Sequence, residues 1–397
     1  MMRMGQRRSL QRSTADEGGV SPLELFFDLV FVFAVSQLSH HLLEHQTWQG
    51  AIETLVLLVP VFLVWLRTAW TTTLLDTELR PVQWMLLLVM LFGLFMNAAI
   101  GTAMAGSAWT FVLAYLTIQV GRDVWLLTTE LTPFIRDHWH RMLVWTAGAG
   151  VLWAGGAFLE HEARLLCWAG AAGVDLAGTA LGHPLPGRAL RSEFQPLMRE
   201  RLFERARLFF IIALGETILT TGTAIAANIE APITLLTGTV ALTGTVAMWY
   251  AYFDAREAET QNTLRASSDP VRVSIQAFNA LFVIVAALIL TAVGDESVIA
   301  HPFGATSPTT ALLLYAGPFL YLSTHAWFSY RVNHHPSPSR LIGAGSLAVL
   351  GVLSLFVPPF VAAIGAAAPL VAVAIADGRH RYELRGATPL ESDAAMR

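Results

Sequence analysis

Long apolar runs, separated by short polar interruptions, account for most of the chain. Twelve can be marked, at about 24–43, 51–70, 82–105, 108–129, 141–159, 163–182, 204–228, 232–253, 272–293, 309–330, 340–356 and 358–376. Each approaches the ~20 residues that a helix needs to cross the hydrocarbon core of a bilayer. The pattern therefore predicts an all-α, polytopic membrane helix bundle of about twelve transmembrane helices. The fifth, sixth, eleventh and twelfth runs are rich in Gly and Ala, small residues that let helix backbones approach closely. Pro358-Pro359 interrupts the last pair, so two spans and one long re-entrant element both fit residues 340–376.

Composition agrees with this pattern. Of 397 residues, 54% are hydrophobic and 14% charged, against about 25% charged in soluble domains, and the mean hydropathy is +0.54. No polar stretch is long enough for a separate soluble domain. All 25 cationic side chains are arginine, which excludes a retinal or pyridoxal Schiff base and a P-loop, each of which needs a lysine. The one cysteine, Cys167, allows neither an intramolecular disulfide nor a multi-cysteine metal site. Residues 1–19 lack an apolar core, so no cleavable signal is expected and the first span serves as the insertion signal.

Arginine placement predicts orientation. The alternation puts 23 of 25 on one side, beginning with Arg3, Arg7, Arg8 and Arg12 in the first tail. Arg67 and Arg80 follow in the second connection, and Arg188, Arg191, Arg199, Arg201, Arg205 and Arg207 around the sixth. Arg164 falls in an opposite loop and Arg122 inside a span. Both termini are expected in the cytoplasm, with the protein in a cytoplasmic (inner) membrane.

The expected organisation is a tail (1–23), a six-helix half (24–182), a linker (183–203), a second half (204–376) and a tail (377–397). The halves look like copies. Glu24-Leu25-Phe26-Phe27 is matched by Glu204 with Leu208-Phe209-Phe210, Tyr115 by Tyr315, and Arg141 by Arg340. Trp65 and Trp70 before Asp76 are matched by Trp249 and Tyr252 before Asp254. Six spans per half make these parallel repeats about an axis along the membrane normal.

Ser21-Pro22-Leu23-Glu24-Leu25-Phe26-Phe27-Asp28-Leu29-Val30-Phe31-Val32-Phe33-Ala34 resembles the opening of the bacterial low-temperature-requirement A family. Glu204-Arg205, followed by Leu208-Phe209-Phe210-Ile211-Ile212-Ala213-Leu214-Gly215-Glu216, resembles its second signature. Where the family usually has an aromatic residue and a glycine, this chain has Ala206 and Arg207, which sets a second guanidinium against tight packing where the seventh helix starts. The resemblance implies an integral membrane protein linked to growth in the cold, and implies no particular reaction, substrate or cofactor.

Ionisable groups inside spans are costly, by about 2.5–3.5 kcal/mol each on insertion scales, and are functional candidates by default. Glu216 lies 12 residues beyond Glu204, about 18 Å along a helix. It either exchanges a proton or a cation, or bridges helices as structural glue. Glu24 and Asp28 are one turn apart on one helix face, with Arg205 and Arg207 as candidate partners, as a cation-gathering mouth, a gate or an ion-pair lock. The repeat places Glu204 opposite Glu24. Arg122 and Asp123 point about 100° apart, so each is expected to pair elsewhere, Arg122 with Asp28 or Glu216. Asp175 is a further intramembrane carboxyl group. Asn97, Gln119, Gln276, Asn279 and His325 read as helix-bridging groups. His41 and His45 have a metal-chelating spacing, but polar residues are expected at that span end in any case. The Trp residues near span ends form an interfacial belt.

The favoured reading is a secondary transporter or ion pathway coupled to protons through these carboxyl groups. A scaffold or sensor of membrane state and an intramembrane lipid-modifying enzyme are the alternatives. The enzyme reading lacks a nucleophile arrangement, so no catalytic residue, metal or cofactor is assigned. The expected partners are the lipid bilayer and an unidentified small solute or ion, with no nucleic acid.

Overall fold

The computed structural model describes Leu10 and residues 19–186, 196–253 and 270–386. Arg3, Arg7, Arg8, Arg12, Arg188, Arg191, Asp254, Arg256, Arg265 and Arg397 lie outside the described residues. Twelve α-helices and no strand occur among the described residues. They are α1 (Pro22–Glu44), α2 (Trp48–Leu74), α3 (Arg80–Ala98), α4 (Ala108–Leu127), α5 (Pro133–Ala157) and α6 (His161–Leu181). There follow α7 (Pro196–Ala227), α8 (Pro232–Phe253), α9 (Pro270–Ala300), α10 (Pro308–Asn333), α11 (Pro338–Leu353) and α12 (Pro359–Gly386). Each helix overlaps one of the twelve apolar runs, although α3 ends at Ala98, short of the expected 105. Eight of them, α1, α2, α3, α7, α8, α9, α11 and α12, are long and apolar enough to cross a membrane.

Local chemistry sets the helix starts. Eight helices begin at a proline, whose fixed φ suits the first turn and whose missing N–H leaves no donor unpaired there. Ser21 caps α1 in a capping box: its hydroxyl accepts from the Glu24 N–H, and the Glu24 carboxylate accepts from the Ser21 N–H.

Several helices run past their apolar runs. α7 begins eight residues before the expected Glu204, at Pro196. α2 continues to Leu74 because its threonines satisfy themselves on the helix. Thr71 Oγ1 donates to the Arg67 carbonyl at 2.8 Å and Thr73 Oγ1 to the Ala69 carbonyl at 2.9 Å. Arg67, expected in a connection, is therefore inside α2, and only 3% exposed. α9 continues through Gly294-Asp295-Glu296 to Ala300. At the Pro358-Pro359 interruption the chain makes two helices: α11 ends in a 3-10 turn at Ser354–Phe356 and α12 starts afresh at Pro359.

The chain forms two compact units, one of residues 1–212 with 274–279 and the other of 213–273 with 280–397. In the first, α1 packs on α2 and α3, and α3, α4, α5 and α6 pack in succession, with α6 returning to α2. In the second, α8 packs on α12, α10 on α11, and α11 on α12. There α9 and α10 approach at backbone distance. A Cβ on Gly294 would sit 2.8 Å from the Leu314 backbone, and one on Gly317 2.6 Å from the Ala287 carbonyl oxygen. Only glycine permits that approach.

Candidate functional site

One stretch of α2, Trp65 to Thr72, organises the polar interior of the first unit. It spans about 10 Å of helix and touches three buried arginine–carboxylate sets.

The first set joins α1 to the start of α7. Asp28 Oδ1 accepts from Arg205 at 2.5 Å and from Trp65 Nε1 at 2.9 Å. Arg205 also donates to Thr72 Oγ1 at 2.7 Å, lies 3.7 Å from Glu24 Oε1, and stands over the Phe27 ring. Arg201 donates to Glu24 Oε2 at 3.2 Å. Glu24, Asp28 and Arg205 are all 1% exposed or less. Trp65 stacks on Phe209 at 4.0 Å between ring centres, closing the apolar side.

The second set lies on α4. Arg122 donates to Asp123 Oδ1 from two nitrogens, at 2.9 and 3.2 Å. It also reaches Gln119 Oε1 at 2.5 Å and Thr68 Oγ1 at 3.2 Å. This corrects the expectation that sequence neighbours pair elsewhere: Cα directions 100° apart do not stop a long guanidinium from curling back onto the next side chain. Arg122 is thus satisfied without Asp28 or Glu216.

The third set joins α2, α4, α5 and α6. Asp175 Oδ2 accepts from the Tyr115 hydroxyl at 2.8 Å and from Trp153 Nε1 at 2.9 Å, and Asp175 Oδ1 lies 3.6 Å from Arg67. Arg67 also donates to Thr146 Oγ1 at 2.7 Å and faces His183 Nε2 at 3.5 Å.

Glu24 Oε1 and Asp175 Oδ1, each facing a guanidinium at 3.7 and 3.6 Å, accept no hydrogen bond among the described residues. Asp28 Oδ2 and Asp123 Oδ2 are buried and have no hydrogen-bond partner among the described residues. Each of these two carboxylates offers one oxygen to a guanidinium, while its other oxygen accepts no hydrogen bond among the described residues.

The other expected residues fall differently. Glu204 is exposed, because Arg205, its neighbour, turns inward and the two point about 100° apart. Glu204 therefore does not mirror the buried Glu24. Arg207 is half-buried, and beside it Ala206, Phe209 and Phe210 are buried, so the start of α7 packs despite the second guanidinium. Glu216 is 1% exposed and belongs to the second unit, beside Thr217, whose hydroxyl meets that of Thr245 at 2.9 Å. His325 is packed against Tyr252 and Tyr321. Arg141 and Arg340, matched in sequence, both reach backbone carbonyls, of Gly182 at 2.8 Å and of Ala251 at 3.0 Å.

Sequence reasoning passed over Arg67, which stood at the edge of an apolar run, and Glu53, the third residue of one. Glu53 is buried between His41 at 3.2 Å and His161 at 2.8 Å. His41 and His45 do not converge on a common point: their rings lie 4.7 Å apart, and His45 Nδ1 bonds the His41 carbonyl. Among the described residues no group of three His, Cys, Asp or Glu is arranged to hold a metal ion.

His183 lies in the segment after α6, outside the apolar runs. It is 4% exposed and left-handed, with φ of 55°. Burial, with the nearby Arg67, His138 and Arg141, holds its pKa well below 6.5. The unfolded chain takes up that proton near pH 6.5 while the folded chain does not. Stability is therefore full above that pH and falls below it, by up to about 1.4 kcal/mol per pH unit. In detergent, His183→Asn, whose side chain tolerates a left-handed backbone, is expected to flatten the fall in melting temperature between pH 7 and 5. An unchanged slope would assign the acid sensitivity to other groups.

The sequence profile described as "Bacterial low temperature requirement A protein (LtrA)" matches residues 19–375. The uncharacterised protein RA0937 of Rhizobium meliloti (strain 1021) is 32% identical over 357 residues, covering 88% of this chain and 87% of that protein. No solved structure matches.

Proposed function

The chain belongs to the bacterial low temperature requirement A family, and on that footing we propose that it is a secondary transporter or ion pathway coupled to protons through its buried carboxyl groups. The observation that carries this reading is the α2 stretch Trp65–Thr72, which holds three arginine–carboxylate sets while Asp28 and Asp123 each keep one buried oxygen without a hydrogen-bond partner among the described residues. A half-satisfied buried ionic network is expensive. A proton or cation on the open oxygen relieves that cost and weakens the guanidinium's hold.

Arg205 is placed to respond. It contacts Asp28 and lies 3.7 Å from Glu24. Neutralising Asp28 transfers the guanidinium's preference to Glu24, a short displacement that couples α1 to α7. Asp123, Asp175 and Glu216 are the further relay candidates, and Arg205 is the gate between the two α1 carboxylates. In this reading the protein sits in the inner membrane with both termini cytoplasmic, as its arginine distribution favours. A parallel-repeat architecture is supported by a shared order of packed pairs: α4–α5, α5–α6 and α2–α6 in one unit, α10–α11, α11–α12 and α8–α12 in the other.

A second reading, a scaffold supporting growth in the cold, is favoured by the guanidinium partner that each carboxylate of the three sets already has. Reconstitution distinguishes the two. Proteoliposomes with an interior pH dye, under an imposed pH gradient and membrane potential, are expected to pass protons alone or with a particular added solute. Asp28→Asn and Asp123→Asn should each slow that flux about tenfold or more, the effect of ~1.4 kcal/mol on a limiting step, with Glu216→Gln compared beside them. Proteoliposomes as tight as protein-free ones across a broad solute panel would overturn the transport reading in favour of the scaffold.

A further inference from the structure

Asp295 plays no part in the three arginine sets. It lies on α9, five residues before the helix ends at Ala300, about 8 Å inside that end. It is 8% exposed, and no hydrogen bond or ion pair joins it to another side chain among the described residues. Asp295 lines a cavity of about 20 Å³ between α8, α9, α10 and α12. That is room for about one water molecule.

The walls of the cavity explain what can sit there. α8, α10 and α12 contribute only apolar side chains and Gly244, with no charged or titratable group facing Asp295 from any of them. On α9 itself, Thr291 lies one turn away; its hydroxyl donates to the Ala287 carbonyl at 2.9 Å, which leaves its oxygen free to accept. On α10, Pro318 lacks an N–H, so the carbonyl four residues earlier, that of Leu314, loses its helical donor. Both Leu314 and Pro318 line the cavity. Interrupted helix bonding is tolerated at membrane depth where it borders a polar or water-holding cavity. The close approach at Gly294 and Gly317 brings α9 and α10 together at that interruption.

We infer that Asp295 and its cavity form a proton-binding site in the second unit, with one water molecule bridging the carboxyl group to Thr291 and the Leu314 carbonyl. An ionised carboxylate with no counter-charge in such a setting is strongly disfavoured, so the resting form carries the proton. A desolvated sodium ion is a poorer occupant, because the cavity supplies at most a carboxylate, a hydroxyl and one carbonyl. The site belongs to the transport reading above, yet its occupancy can be measured without any transport.

The test is an infrared titration of the full-length protein in lipid, native against Asp295→Asn, with Asp295→Glu as a folded variant that keeps the chemistry. The native-minus-Asn difference should contain a protonated-carboxyl band that fades as pH rises. The band should persist, displaced, in Asp295→Glu and be indifferent to replacing sodium with choline. Absence of the band at every pH, with Asp295→Glu folded, would overturn the proposal. So would a band removed by sodium at constant pH, which would make this a sodium site. A persistent band in a protein that passes no protons into liposomes would sink the transport reading and leave the Asp295 site standing.

Discussion

Arg205→Met is expected to destabilise the first unit by about 3–5 kcal/mol, the usual effect of stranding a buried charge by removing its partner. The substitution keeps the side-chain length against Phe27 and removes the donors to Asp28 and Thr72 along with the neighbour of Glu24. Glu24 retains Arg201, whereas among the described residues Asp28 keeps only the hydrogen bond from Trp65 Nε1. Asp28→Asn alone strands the guanidinium but preserves an acceptor for Trp65, so its cost should be smaller. Combining the two removes both charges, and the double variant should recover much of the loss, a coupling that a double-mutant cycle reads directly. Melting in detergent, followed by size-exclusion chromatography of the heated samples, supplies the four stabilities. Additive costs would show that Arg205 and Asp28 do not act as a pair. A loss below about 1 kcal/mol for Arg205→Met would place the interaction among solvent-screened surface pairs.

That pair was partly legible in the sequence. Glu24 and Asp28 share a helix face by spacing alone, and Arg205 stood in the second recognisable motif as a candidate partner. The helices were legible because apolar length is a strong one-dimensional signal, and all twelve runs became helices. What failed was reading charge as punctuation. Topology rules treat arginine as a loop marker, which puts Arg67 in a connection, and the apolar run is expected to end at residue 70. The hydroxyls of Thr71 and Thr73 bond the helix's own carbonyls, so α2 continues to Leu74 and Arg67 turns inward. Gly294-Asp295-Glu296 read as the end of a span for the same reason, which hid Asp295. Arg122 and Asp123 failed differently. Helical geometry constrains where Cβ points, and a guanidinium four bonds further out escapes that constraint. Which carboxylate meets which arginine depends on helix packing, and one chain's periodicity carries no record of it.

Asp175 offers the sharpest separation between a positioning role and a relay role. Asp175→Leu removes the carboxylate beside Arg67 together with the acceptor for both Tyr115 and Trp153. A buried cation loses its partner and two buried donors are orphaned, so the expected cost again reaches about 3–5 kcal/mol. Asp175→Asn keeps an oxygen for Tyr115 and Trp153 and removes only the charge, so it should cost clearly less. Adding Arg67→Met to Asp175→Asn should restore part of the loss, because the guanidinium is then no longer stranded on Thr146 and His183. Tryptophan fluorescence during chemical denaturation follows the unfolding, with Trp153 of this set one of twelve Trp residues. Equal stabilities for the Leu and Asn variants would mean that the two orphaned donors find other acceptors and that the hydrogen bonds to Asp175 carry little. The proton flux of the Asn variant then decides its role. A protein that folds and passes protons at the native rate makes Asp175 an anchor for Arg67, whereas a folded protein with flux lost places the carboxyl group on the proton's path.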